Sequence, residues 1–195
     1  MADSLKHILS KGRKLILLPF NLVRFKYFHY SATVKKSMKI TPRYITINKN
    51  VFIEKNCRIE AVTSYNDTCF HPSIVFEENV SVQQNLHLTC ASQITIGRNT
   101  AIASNVSITD IHHPYDDINT PIEQQDIITK PVTIGSDSKI YNNTVILPGV
   151  HIGKHCTIGA NSVVTRDIPD YSVAVGAPAR VVKQYNFETK QWEKK

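Results

Sequence analysis

The sequence has no apolar run long enough to cross a bilayer. The longest, Leu15-Ile16-Leu17-Leu18-Pro19-Phe20, covers six residues where a span takes about 20. A basic start ahead of that run resembles a secretory leader, but Arg24 and Lys26 follow at once and no small-residue cleavage site is present, so a cytosolic chain is expected. Four cysteines (Cys57, Cys69, Cys90, Cys156) stand far apart without a CxxC pair, which argues against a zinc ribbon and gives no sign of a disulfide framework. The sequence has no GxSxG nucleophile elbow, no GxGxxG and no phosphate-binding P-loop. What remains is an ordinary globular composition, 42% hydrophobic and 20% charged over 195 residues, which excludes a disordered chain and a polytopic membrane protein.

The formal net charge of +7 invites a nucleic-acid reading, and its distribution withdraws the invitation. Residues 1–39 carry nine Lys/Arg against the single acid Asp3, whereas residues 40–195 carry fourteen basic and fifteen acidic residues. The basicity belongs to a short lead and not to the body.

The body is built on a period of six. Ile134, Ile140, Ile146, Ile152, Ile158 and Val164 recur without a break, and the residue four places after each of the first five is small or branched: Ser138, Thr144, Val150, Cys156, Ser162. A period of six fits neither a 3.6-residue helix nor an alternating strand. It fits an all-β solenoid, a parallel β-helix in which each hexapeptide makes one flat face and three make a turn. The aliphatic residue points inward and stacks on its equivalents, and the small one fills the space beside it. The same phase holds upstream at Ile96, Ile102 and Ile108, at Phe76, Val82 and Leu88, and at Ile47, Ile53 and Ile59. Ala61–Ser73 and Thr89–Ile94 interrupt it and are expected to be corner loops. The largest interruption, residues 114–131, is polar and about eighteen residues long, and is expected to protrude.

Three parts follow: a basic amphipathic segment 1–39 outside the repeat, the solenoid 40–169, and a C-terminal cap with a polar tail, 170–195. In the first, Ser4 is placed to cap a helix through Leu5, Ile8, Leu9 and Leu15–Leu18 that Pro19 breaks or kinks. The aromatic stretch after it is expected to cap the open first coil, or to lie on a membrane surface.

For chemistry, one histidine pair stands out. His112 and His113 lie where the last regular strand before the long loop runs into it, in Thr109-Asp110-Ile111-His112-His113-Pro114-Tyr115. A histidine at the root of a protruding loop has the access a general base needs, and Asp110 or a backbone carbonyl is placed to orient it. Two surface histidines in a polar loop are the competing reading. A metal site from His112, His113, His151 and His155 lacks recognisable ligand spacing, so no metal is expected. Cys156 falls in the small inward column, which gives it a packing role.

Residues 76–183 resemble the hexapeptide-repeat acyltransferases. The motifs that carry the likeness are the I-G-x-x-x-x repeat, Ile146-Leu147-Pro148-Gly149-Val150-His151-Ile152-Gly153, Ile158-Gly159-Ala160-Asn161-Ser162-Val163-Val164-Thr165-Arg166-Asp167-Ile168-Pro169, and Val175-Gly176-Ala177-Pro178-Ala179-Arg180-Val181-Val182-Lys183. Thr109–His113 matches the sugar and polysaccharide O-acetyltransferases within that family. The resemblance implies a left-handed β-helix and a homotrimer with acetyl-CoA between subunits. It implies His113 as the catalytic base, with Asp110 as its candidate orienter. It carries CoA contacts to Asn142, Ala160, Thr165, Arg166, Arg180 and Lys183. It carries acceptor contacts to Gln83 and Asn85, and Tyr115 in the matched loop joins them. The frequent V-W-I-G reads Ser138-Lys139-Ile140-Tyr141 here, so Lys139 and Tyr141 are departures.

The expected activity is acetyl-CoA-dependent O-acetylation of a carbohydrate in bacterial surface-polysaccharide synthesis, in the cytoplasm, with residues 1–30 in reach of the inner membrane and no nucleic acid among the partners. The rivals are N-acetylation of a nucleotide-linked amino sugar, a carbonic-anhydrase-type metalloenzyme, and a non-catalytic scaffold on the same solenoid.

Overall fold

The computed structural model describes residues 17–195, and in it the period of six becomes a left-handed parallel β-helix with three flat faces. Six coils stack along the axis. The last two are the most regular: Val132–Ile134, Lys139–Ile140 and Val145–Ile146 make the fifth, and His151–Ile152, Thr157–Ile158 and Val163–Val164 the sixth. Each face is a parallel sheet whose register places like on like. On the first face Phe28, Ile47, Phe76, Ile96, Ile134 and Ile152 stack in one column. Ile53, Val82, Ile102, Ile140 and Ile158 do so on the second face, and Ile59, Leu88, Ile108, Ile146 and Val164 on the third. These side chains are fully or almost fully buried, as are the small partners Ser138, Thr144, Val150, Cys156 and Ser162. Burying an isoleucine contributes about 1.5–3 kcal/mol, so the column is the main favourable term.

A coil of this size turns sharply at each corner, and the turns need left-handed backbone. Glycine is the usual supplier, yet this chain uses asparagine, whose short polar side chain tolerates that conformation. Between the first and second faces Asn50, Asn79 and Asn99, with Asp137, all have φ near +60°, and each amide donates to the next coil at 2.8–3.1 Å. Between the second and third faces Asn85, Asn105, Asn143 and Asn161 form a second ladder at 2.9–3.1 Å. Glycine is needed where coils approach closely: a Cβ on Gly135 would lie 2.5 Å from the carbonyl carbon of Gly153 on the next coil.

The structure corrects four expectations. Residues 27–39 do not stay outside the repeat, because Tyr27–Phe28, Thr33–Val34 and Lys39–Ile40 form the first coil, in register with the second. The chain is helical from 17 to 24, so among the described residues Pro19 does not break the helix; Leu18 and Phe25 pack on the core beside the first coil. The expected cap at Ser4 and the helix start lie outside the described residues. Thr89–Ile94 is no loop, since strands His87–Cys90 and Gln93–Ile96 meet across the two-residue corner Ala91–Ser92. Beyond Ser172–Gly176, the expected polar tail is an antiparallel hairpin of Ala179–Asn186 and Gln191–Lys194, with Tyr185 paired to Trp192.

Candidate active site

Two insertions leave the solenoid at the same corner, where the third face ends. After the second coil, residues 62–72 project as a hairpin of Ser64–Tyr65 and Thr68–Cys69. After the fourth, Ile111–His112 pairs antiparallel with Ile128–Thr129, and the segment between folds over a 3-10 turn, Ile122–Gln124. The insertions meet. The Tyr65 hydroxyl lies 2.8 Å from the Glu123 carbonyl oxygen and 2.9 Å from its Oε2, and donates to that pair. Asn66 Nδ2 donates to the Gln124 carbonyl at 3.2 Å. Withdrawal from water, followed by the Glu123 carboxylate, raises the Tyr65 phenol above its ordinary range.

Below this clasp lies a groove of about 410 Å3 on the outer side of the third face, and His113 forms part of its wall. Its floor is a register column of outward residues, Arg58, His87, Ser107 and Val145 on successive coils. Beside it runs a second column, Glu60, Thr89 and Thr109, the two threonine hydroxyls 2.9 Å apart. Burial pushes the Glu60 carboxyl up, but hydrogen bonds from Lys39 and Arg58 outweigh it and hold the group below the usual carboxylate range. The His113 imidazole stands edge-on to the Tyr65 ring, centroids 5.4 Å apart at 78°. Its Nδ1 is shut off from solvent without a hydrogen-bond partner, which leaves Nε2 as the open ring nitrogen.

Asp110 has a different task from the expected one. Fully buried, its carboxylate accepts the backbone N–H groups of Ala91, Ser92 and Gln93 at 2.7–2.8 Å, and contacts neither histidine. It pins the corner of the coil beneath and so fixes the start of the loop; its backbone carbonyl accepts from Lys130 N–H at the other end. That carboxylate also raises the Cys90 thiol, after burial, which is the larger cause. His112 turns to the loop and meets the Tyr115 ring at 6.0 Å.

The remaining site residues do not join His113 in that groove. Tyr115 is on the loop, 66% exposed. Gln83 and Asn85 sit at the opposite edge of the third face, where Asn85 serves the asparagine ladder. Asn142 and Ala160 occupy that same edge on the fifth and sixth coils, and Thr165 and Arg166 follow the last strand of the sixth. Arg180 and Lys183 lie on the first strand of the terminal hairpin, opposite Val175 and Val173 of the second face. All six are exposed. Lys139 Nζ lies 5.5 Å over the Tyr141 ring on the second face. The sequence reading missed Arg58, His87, Ser107 and Tyr65. The first three immediately precede an inward aliphatic residue, and that spacing marks the outer surface beside His113.

Comparisons with known proteins agree with this architecture. The family described as bacterial transferase hexapeptide (six repeats) matches residues 131–166. The chain is 41% identical over 128 residues to WbbJ of Escherichia coli, named as a lipopolysaccharide biosynthesis O-acetyl transferase; the match covers 62% of this chain and 65% of that one, so this chain spans slightly less than two thirds of that relative. It is 31% identical over 171 residues to the galactoside O-acetyltransferase of Escherichia coli, covering 88% of this chain and 79% of the relative. Among solved structures, the N-acyltransferase AntD from Bacillus cereus superposes with a TM-score of 0.72 at 18% identity, over 88% of this chain and 89% of its own. With a coil-by-coil repeat and a relative matched over most of both lengths, the chain belongs to the hexapeptide-repeat acyltransferases.

Proposed function

We propose that the protein transfers an acetyl group from acetyl-CoA to a carbohydrate hydroxyl during surface-polysaccharide synthesis, with His113 as general base. The observation that carries this reading is the placement of His113: it walls a groove of mixed polar and apolar lining, with Nδ1 enclosed and Nε2 open. Nε2 takes the acceptor's hydroxyl proton as that oxygen attacks the thioester carbonyl carbon. The tetrahedral oxyanion collapses, the carbon–sulfur bond breaks, and the proton passes to the departing CoA sulfur. The products are an acetyl ester and free CoA, with no covalent enzyme intermediate. A backbone N–H facing the groove stabilises the oxyanion. The names of WbbJ and galactoside O-acetyltransferase support the reaction and acceptor class, and the AntD complex, with CoA and a dTDP-linked amino sugar, supports the donor.

The working unit is a homotrimer, in which the groove of one copy faces the CoA-directed surface of the next. Two features support it. None of Asn142, Ala160, Thr165, Arg166, Arg180 and Lys183 lines the groove of its own chain. The loop also exposes Tyr115, Ile118, Ile122 and Ile128, a concentration of apolar surface that marks an interaction site. Arg166, Arg180 and Lys183 suit the donor's phosphates.

The protein works at the cytoplasmic face of the membrane. Among the described residues no helix is long and apolar enough to cross a bilayer. The N-terminal end exposes Phe20, Leu22, Val23 and Tyr30 beside Arg24, Lys35 and Lys36, a pattern suited to an anionic surface. Replacing Phe20 and Val23 with glutamate should reduce binding to anionic vesicles; unchanged binding would remove the membrane contact.

Hydroxyl and amino sugar acceptors should be incubated in parallel with acetyl-CoA and the products weighed by mass spectrometry. Acetyl gain on the hydroxyl acceptor, reversed by mild alkali, is the expected result. Gain only on the amine would make the enzyme an N-acetyltransferase.

A further inference from the structure

Two insertions 58 residues apart in sequence have no topological need to touch, since the coils between them are complete without either. They touch at one place, and it is beside His113. The hairpin supplies a phenol that reaches the main chain and the carboxylate of Glu123, and an amide that reaches Gln124. The loop supplies the 3-10 turn that presents those acceptors. Asn66 Nδ2 also reaches Asp126 Oδ1 at 3.4 Å, and the bonds that remain between 114 and 127 are local, such as Thr120 Oγ1 to Asp117 Oδ2 at 2.6 Å and Gln125 Nε2 to the Thr120 carbonyl at 2.8 Å. They shape the loop without fixing it to the solenoid. The root is fixed by Asp110 and by the short antiparallel pair; the tip is fixed by the hairpin.

We infer that Tyr65 is a positioning residue for the acetyl-transfer reaction: its hydroxyl ties the loop tip down through Glu123, and its ring holds the His113 imidazole with Nε2 toward the groove. The inference rests on His113 being the base. Each half of the side chain has its own task. The ring edge contact at 5.4 Å restricts rotation of the imidazole about χ2, which no hydrogen bond at Nδ1 otherwise restrains. The hydroxyl keeps the loop tip anchored to the hairpin, so that the wall His113 forms beside the groove stays in place. A base held in one rotamer presents its nitrogen to the hydroxyl in a larger share of encounters, and small misplacements of a catalytic group cost large factors in rate. The effect falls on kcat, because both contacts of the side chain bear on the base and on the loop beside it.

The test compares Tyr65→Phe, Tyr65→Ala and His113→Ala in the full-length chain, with steady-state acetyl transfer and hydrogen exchange of the loop peptides. Tyr65→Ala should lower kcat by about 10- to 100-fold with the KM for acetyl-CoA within about twofold of wild type. Tyr65→Phe keeps the ring and should recover most of that loss, while both variants speed exchange in residues 114–127 and leave the fifth and sixth coils unchanged. A Tyr65→Ala enzyme with wild-type kcat, alongside an inactive His113→Ala, would overturn the clasp and leave the base in place. A fully active His113→Ala would overturn the base itself. Unchanged loop exchange in Tyr65→Ala would also overturn the clasp, whatever the rates.

Discussion

The fifth and sixth coils and the segment from the second to the fourth coil have the same repeat but different uses. The later coils run from 132 to 164 with short corners, nearly every position dictated by the column, the ladder or the glycine stack. The earlier segment keeps the same inward residues but departs twice, at 62–72 and 110–131, and both departures converge over one groove. On the proposed reading the irregular region carries the base, while the inward columns of the regular region carry rigidity and its corners present the CoA-directed residues. A change in an inward column should therefore alter stability, and a change at His113 turnover.

The largest effect expected is on turnover. His113→Ala should lower kcat by about 10²- to 10⁴-fold, the range for loss of a positioned base, while circular dichroism and CoA binding stay as in wild type. In the regular coils the opposite holds. Ile140→Ala opens a cavity in a fully buried column and should cost about 2–5 kcal/mol in denaturant unfolding, with kcat of the folded enzyme near wild type. If Ile140→Ala instead lost turnover before stability, the division between the regions would fail.

The corner ladder allows a finer cut. Asn143 has φ 60° and bonds to Asn105 and Asn161, so Asn143→Ala loses both bonds and strains the turn, for about 2 kcal/mol. Asn143→Gly relieves the strain but not the bonds and should cost about half as much in the same unfolding measurement. Equal losses would show that the ladder alone matters.

The smallest effects concern the thiols and the phenol. Burial raises the Cys57, Cys90 and Cys156 thiols, whereas Cys69 is exposed on the hairpin, so brief alkylation of the native protein should mark Cys69 alone by peptide mass analysis. Because the Tyr65 phenol titrates above the ordinary tyrosine range, its neutral form favours the folded clasp. That contribution is complete below the ordinary range and is lost as the pH rises through the raised value. Loop exchange should therefore stay slow until the pH has passed the ordinary tyrosine range. Earlier opening would contradict the assignment.

The period of six was legible because each inward position demands an aliphatic side chain, and the run from Ile134 to Val164 admits no other register. The first coil was harder to see. Phe28, Val34 and Ile40 keep the spacing, but they follow directly on an apolar aromatic run and stand among Lys26, Lys35, Lys36 and Lys39, which mask the pattern. The histidine pair stood out from its place at the root of the loop, and the resemblance singled out His113, which lines the groove. Asp110 was legible only as a carboxylate near a histidine; which backbone amides it meets depends on the coil beneath, about 18 residues away in sequence. The Tyr65 to Glu123 clasp could not be read, because nothing in either local sequence specifies the other.

Acetyl transfer from acetyl-CoA to the preferred carbohydrate should be measured for wild type and His113→Ala at equal occupancy of CoA, with CoA binding followed calorimetrically on the same samples. The prediction is intact CoA binding with turnover reduced at least about 100-fold. Intact binding with undiminished turnover would contradict it.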